Sequence, residues 1–311
     1  MFRFDYSKEF LKWHLTAPGY LKSWHLCVLK EQSKEMVAFI SAIPVHIYVF
    51  GKEVPQVEIN FLCVEQSYRA KRMAAVLIKE ITRRVHLQGL WQAVYTAGIL
   101  LPKPISTCTY YHRNINIKKL LDVRFTYLSP QLNISRAKSV YKVAKEPTIN
   151  GLRPMEKKDV EAVYKLLDNY LSKFKVRPFY STKEVEHWFL PRKGVVYAWV
   201  VENLESGEIT DFISFYSLPS SILNHETHKT LYAAYSFFNV ANTVTFKELM
   251  KNAIILANQQ KFDVFNALNI MENETVFNDL LFGQGDGSLK YYFYNYACPE
   301  IKPNELALVL M

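Results

Sequence analysis

The chain has 311 residues, 38 Lys and Arg against 29 Asp and Glu, and an apolar share of 50%. That composition excludes a disordered or low-complexity chain and supplies a sizeable core for one large domain or two ordinary ones. Charge is bipolar: residues 1–150 hold 22 Lys and Arg against 10 Asp and Glu, whereas residues 151–311 hold 16 against 19, so the first half suits an anionic partner and the second a cationic one.

Hydrophobic periodicity predicts strands over residues 24–29, 36–49 and 57–64, a helix over 73–87 and a strand over 92–97. A seam follows at 145–152, where Glu-Pro-Thr-Ile-Asn-Gly breaks the pattern. Beyond it, apolar residues at 160, 163, 166 and 167 mark one helix face, and strands follow at 195–202 and 211–217. An amphipathic helix over 246–260 and a short strand over 263–268 close the regular pattern. The fold class expected is α/β, an α+β mixed sheet with helices on its faces, arranged twice over residues 1–150 and 151–311.

Four cysteines, Cys27, Cys63, Cys108 and Cys298, lie far apart without a C-x-x-C pair. This argues against a zinc ribbon, a thioredoxin motif and a disulfide scaffold, and favours reduced thiols in a cytoplasmic protein. The start has no apolar segment behind a basic one, so nothing marks secretion. The longest apolar stretch, residues 36–50, contains Pro44 and His46 and falls short of the roughly 20 residues of a membrane helix. His225 and His228 read as parts of a polar loop, and no metal site is expected. No Gly-x-Ser-x-Gly elbow suggests a serine nucleophile.

Strand 57–64 feeds directly into Arg69, Lys71 and Arg72 at a helix start, where cations oppose the partial positive charge of the helix end. A phosphate would offset both, so the segment reads as an anion seat. Residues 283–287, Gly-Gln-Gly-Asp-Gly, read as an acidic turn suited to a cationic peptide, because Asp286 would repel phosphate. The last residues, Glu305-Leu-Ala-Leu-Val-Leu-Met311, are apolar to the end. On the residues alone they read as a core strand with a solvated carboxylate; an inserted terminus would instead bury that carboxylate as a proton acceptor.

Glu58-Ile-Asn-Phe-Leu-Cys63 and Phe282-Gly-Gln-Gly-Asp-Gly287 resemble the two signatures of the eukaryotic N-myristoyltransferase family. Similarity runs collinearly from Phe2 to the last residue, through Phe39-Ile-Ser-Ala-Ile-Pro44, Ala93-Val-Tyr-Thr-Ala-Gly98, Gly151-Leu-Arg-Pro-Met-Glu156 and Glu184-Val-Glu-His-Trp-Phe189. The resemblance implies two pseudo-symmetric acetyltransferase-like halves in one saddle-shaped unit, the first binding myristoyl-CoA and the second contributing much of a peptide groove. It also implies transfer of myristate to N-terminal glycines, with oxyanion stabilisation by the backbone amides of Phe61 and Leu62. The carboxylate of Met311 would be the base, while Asn60 and Thr96 hold the amine. Acyl-CoA contacts would come from Leu62, Cys63, Val64, Arg69, Ala70, Lys71, Arg72, Met73 and Ala74. Peptide contacts would come from Phe2, Phe4, Tyr95, Tyr110, His112, Ser220, Tyr235, Asp286 and Gly287.

The sequence departs from the family pattern at Glu65-Gln66, where His-Lys is usual, at Leu281 in place of Lys, and at Ala70 and Ala75 beside the phosphate seat. The resemblance also places Met1 inside the family's catalytic domain, so upstream contacts to coenzyme A are expected to be absent. Two readings follow: a glycylpeptide N-tetradecanoyltransferase, or a truncated or diverged peptide-binding paralogue that has lost acyl-CoA binding. The partners expected are Gly-starting peptides of nascent or mature proteins, with ribosome or membrane-surface association and a monomeric state. No nucleic-acid module accompanies the basic half, so no specific nucleic acid is expected.

Overall fold

Runs rich in Val, Ile and aromatic residues pair into sheets, and the computed structural model describes residues 1–128 and 132–311 of the result. In chain order the strands and helices are β1 (Phe2–Phe4), α1 (Lys8–Leu15), β2 (His25–Leu29), β3 (Met36–Val49), β4 (Lys52–Val64), α2 (Met73–His86), β5 (Ala93–Ala97), β6 (Ser106–Asn114), α3 (Ile117–Asp122) and α4 (Ile134–Val140). After the seam come β7 (Leu152–Pro154), α5 (Val160–Leu171), β8 (Val176–Pro178), α6 (Thr182–Phe189), β9 (Val196–Glu202), β10 (Ile209–Ser217), β11 (Ser220–Ile222), β12 (Thr230–Leu231) and β13 (Ala233–Ser236). The chain finishes with α7 (Phe246–Gln259), β14 (Val264–Leu268), α8 (Glu274–Phe277) and β15 (Phe282–Tyr294).

One mixed sheet of 12 strands carries the fold, in the order β2-β3-β4-β5-β15-β6-β14-β13-β10-β9-β7, with β8 paired to the far end of β3. The β4–β5 and β13–β14 pairs are parallel and the other ladders antiparallel. Strand β1 forms a separate three-stranded sheet with β11 and β12. The long β3–β4 hairpin turns at Phe50 and Gly51, both with positive φ, the backbone that matches strand twist in a two-residue turn.

Helix α2 lays Leu77, Ile81 and Val85 on β3 and β4, at the i, i+4, i+8 spacing of one face. A larger core joins Phe10 and Trp13 of α1 to Ile43 and Ile47 of β3, Phe189 of α6, Phe212 of β10, Tyr291 of β15 and Leu306 to Leu308. On α5, Val160, Val163 and Leu167 are buried as their spacing requires. No helix among the described residues is long and apolar enough to cross a membrane.

Two expectations are corrected. Residues 283–287 are not a turn: they lie within β15, bulging where its register against β6 shifts between Gln284 and Ser288. Glycines there remove the side chains that would fill the bulge. The last residues are not a strand either, because their backbone groups are met by separate elements rather than one ladder. Met271 N–H donates to Leu306 O, Ala307 N–H to Val176 O and the Tyr291 hydroxyl to Leu308 O.

Gly151, just before β7, has φ +74°, and a Cβ there would run into the backbone carbonyl of Glu202. Gly151→Ala is therefore expected to cost about 3 kcal/mol or more, combining left-handed strain with overpacking against backbone that cannot retreat. A melting temperature within 1–2 °C of the parent, set as about the noise of such a comparison, would contradict it.

Candidate active site

The site begins where β4 stops being regular. Its ladder to β5 holds only at Val57–Ala93 and Glu58–Val94, so beyond Glu58 the two strands part. Against β3 the register slips between the Phe39–Cys63 and Ser41–Asn60 pairs, a bulge formed by Phe61 and Leu62. Phe61 has φ +56°, a conformation a large residue adopts only when its surroundings hold it there. They do: its ring packs edge-on against Tyr6 at 5.2 Å and His14 at 5.0 Å.

Into this parting comes the end of the chain. Leu306, Ala307 and Leu308 are buried, and the half-buried Met311 accepts a hydrogen bond from Asn60 Nδ2 through its terminal oxygen. The same Nδ2 donates to Glu58 Oε1 at 3.2 Å, and Asn60 Oδ1 accepts from the Phe61 amide at 2.8 Å. These partners fix which way the Asn60 amide faces: nitrogen toward two carboxylates, oxygen toward a backbone N–H. Thr96 sits opposite Tyr291 in the β5–β15 ladder, beyond the point where β4 leaves.

Past the bulge, Leu62 and Cys63 are exposed and Val64 is half-buried. A 3-10 turn over Gln66–Lys71 then leads to Arg72, left-handed at φ +57°, which precedes α2 without a side-chain cap. Arg69 donates to Val64 O at 3.1 Å and Lys71 lies 4.4 Å over the Tyr68 ring. Among the described residues Arg72 has no ion pair, so the exposed Arg69, Ala70, Lys71 and Arg72 lead straight into an uncapped helix start at the half-buried Met73 and Ala74, with three exposed cations on four consecutive residues.

The residues expected to meet a peptide assemble in large part. Phe2 packs on Phe125 at 5.6 Å, and Phe125 on His112 at 5.2 Å; Phe4 pairs with the buried Ser220 across β1 and β11. Tyr110 and Tyr235 meet at 6.1 Å, while Gly285 and Gly287 of the bulge lie directly against His112 and Tyr110. Burial holds the His112 imidazole below its ordinary pKa, with a hydrogen bond to Asn266 Oδ1 at 2.7 Å and the Asp286 carboxylate opposing the shift. Tyr95 stands apart from this group, stacked on Tyr292 at 5.2 Å.

Sequence reasoning missed Tyr6, His14 and the buried Glu58 as parts of the site. Two signals were present: a carboxylate inside an apolar strand, and a histidine completing the Phe10, Trp13, His14 face of a helix.

The family model for the N-terminal domain of myristoyl-CoA:protein N-myristoyltransferase matches residues 1–108, and that for the C-terminal domain matches residues 122–308. A probable glycylpeptide N-tetradecanoyltransferase of Caenorhabditis elegans is 51% identical over 311 residues, covering 100% of this chain and 69% of the worm protein. Glycylpeptide N-tetradecanoyltransferase 1 of Arabidopsis thaliana is 52% identical over 312 residues, covering 100% and 72%. The solved N-myristoyltransferase of Saccharomyces cerevisiae with bound myristoyl-CoA superposes with a TM-score of 0.96 at 39% identity, covering 100% and 82%. A mixed α/β sheet parted over a carboxylate, with relatives of this kind, defines an acyltransferase. The chain belongs to the myristoyl-CoA:protein N-myristoyltransferase family.

Proposed function

We propose that this chain transfers myristate from myristoyl-CoA to the N-terminal glycine of proteins by direct attack, without a covalent enzyme intermediate. The observation that carries the reading is the Asn60 amide, which ties the Met311 carboxylate to the positive-φ Phe61 where β4 and β5 part. Arg69, Lys71 and Arg72 with the uncapped start of α2 hold the coenzyme phosphates, and the thioester lies along Leu62, Cys63 and Val64.

The thioester carbonyl takes the Phe61 and Leu62 N–H groups, which displaces the Phe61 amide from Asn60 Oδ1. That oxygen then accepts from the glycine ammonium, with Thr96 beside it. The Met311 carboxylate accepts one ammonium proton, and the free amine attacks the carbonyl carbon. The oxyanion that forms is met by the two amides. Collapse breaks the C–S bond, and the departing thiolate takes the second amine proton. The wall of Phe2, Phe4, Tyr110, His112, Ser220, Tyr235, Asp286 and Gly287 receives the peptide, and Asp286 suits a basic residue within it.

The test is the purified chain with myristoyl-CoA and a Gly-starting peptide, read by free thiol release and by the mass of the acylated peptide. An Ala-starting peptide is the control. Peptide binding without transfer, indifferent to myristoyl-CoA, would replace this reading with that of a non-catalytic peptide-binding protein.

Thiol accessibility gives an independent expectation. Myristoyl-CoA should shield the exposed Cys63 from a maleimide while the exposed Cys27 still reacts. Buried Cys108, its thiol pushed up to about 12, should not react in the folded chain with or without ligand. Equal labelling of Cys63 with and without myristoyl-CoA would move the acyl-CoA seat elsewhere.

A further inference from the structure

The mechanism leaves one buried polar pair unused. His14, at the end of α1 and 1% exposed, has Nε2 3.3 Å from Glu58 Oε1; Glu58 itself is 6% exposed. Asn60 Nδ2 is 3.4 Å from the same His14 nitrogen. Both hydrogens of Nδ2 are committed, one to Glu58 Oε1 and one to Met311. Chemistry therefore makes Nε2–H and Nδ2–H two donors converging on one carboxylate oxygen. The ring is also wedged between Phe61 at 5.0 Å and Trp188 at 5.8 Å. A single side chain thus braces the residue that carries the proposed oxyanion amide and satisfies the carboxylate that shares Asn60 with the chain end.

Two carboxylates on one amide pose a problem for proton transfer. A Glu58 lacking its own donor would compete with Met311 for the Asn60 amide and for the glycine ammonium, and a buried acceptor short of partners is costly. We infer that His14 is a positioning residue for the transfer reaction: its Nε2–H occupies Glu58, leaving the Met311 carboxylate as the acceptor for the ammonium proton and holding Asn60 in its working orientation. This rests on the function proposed above. Around the ring, the other titratable groups are His25 on β2, His187 and Glu184 on α6, and Tyr180; His187 Nε2 is engaged with Trp13 O at 2.7 Å. None of them makes a hydrogen bond to Glu58, so none substitutes for His14.

The test is a double-substitution cycle on the full chain, His14→Ala and Glu58→Gln, read by peptide transfer and by melting temperature. His14→Ala should lower kcat/KM for the Gly-starting peptide about tenfold while leaving myristoyl-CoA affinity within about twofold. Glu58→Gln, which removes the carboxylate that needs the donor, should restore much of that loss in the double variant. A purely space-filling role would not be rescued by a change on β4. His14→Gln, which keeps an N–H donor in a flexible side chain, should fall between His14→Ala and the parent, and guards against misfolding of the smaller variant. Additive effects in transfer, or an unchanged kcat/KM in His14→Ala, would overturn the inference. Were the parent chain itself to transfer nothing, the functional reading would fall and this role with it. An active parent with additive variants overturns the role of His14 alone.

Discussion

Deleting Met311, or adding one glycine after it, should lower kcat for peptide acylation by about 10²–10⁴ while leaving myristoyl-CoA affinity within about twofold. The deletion moves the terminal carboxylate back by about 3.5 Å, one residue of extended chain, away from Asn60 Nδ2. The addition leaves a neutral peptide carbonyl where an anion stood. Neither change disturbs the anchoring of the segment, because Ala307 N–H on Val176 O at 2.8 Å and Tyr291 Oη on Leu308 O at 2.8 Å hold the residues before it. Leu306, Ala307 and Leu308 stay buried in the same core. The two variants fail for different geometric reasons but share the loss of a carboxylate at one place. Full activity in both would show that the ammonium proton leaves by another route, and Glu58 would be the next group to substitute.

How much of this site the sequence disclosed depended on whether local pattern or distant pairing made each part. Strand β3 and helix α2 were legible because their own patterns, a long stretch that is apolar but for Ser41 and His46 and an i, i+4 face, match what they bury. The basic helix start was legible because Arg69, Lys71 and Arg72 contradict the helix dipole. Strand β15 was not, since Gly283, Gly285 and Gly287 carry a loop's composition; the strand forms because β5 and β6 lie on either side of it, about 170 to 200 residues earlier in the chain. The chain end was misread as a strand for a related reason: an apolar run reports burial but not what receives its backbone hydrogen bonds. His14 and Glu58 lie 44 positions apart, and neither residue alone announces the other.

Asn60→Asp should be as damaging as losing the base, with kcat down by about 10²–10³, although the two side chains are nearly the same size. The aspartate keeps an oxygen to accept from the Phe61 amide at 2.8 Å, so the bulge itself survives. What changes is the other atom: where Nδ2 donated to Glu58 Oε1 and to Met311, an oxygen now confronts both. Three carboxyl groups would share one half-buried corner, and like charges at that range raise the proton affinity of at least one of them. Unprotonated, the added carboxylate leaves both Glu58 and Met311 without the donor that places them and sets a third negative charge against the acceptor the ammonium needs. Asn60→Ala provides the contrast, since it loses the donor without adding charge and frees the Phe61 amide for the acyl oxygen. Its loss should be smaller than that of the aspartate by about tenfold at neutral pH. The sign of the pH effect follows: once protonated, the introduced carboxyl regains an O–H donor, so the deficit of Asn60→Asp relative to the parent should narrow as pH falls from about 8 to about 6. The alanine variant, with nothing to titrate at that position, should keep a constant deficit over the same range. Rate profiles for the three proteins decide it, and a deficit of equal size and equal pH dependence in both variants would mean that Asn60 only fills space between the strands.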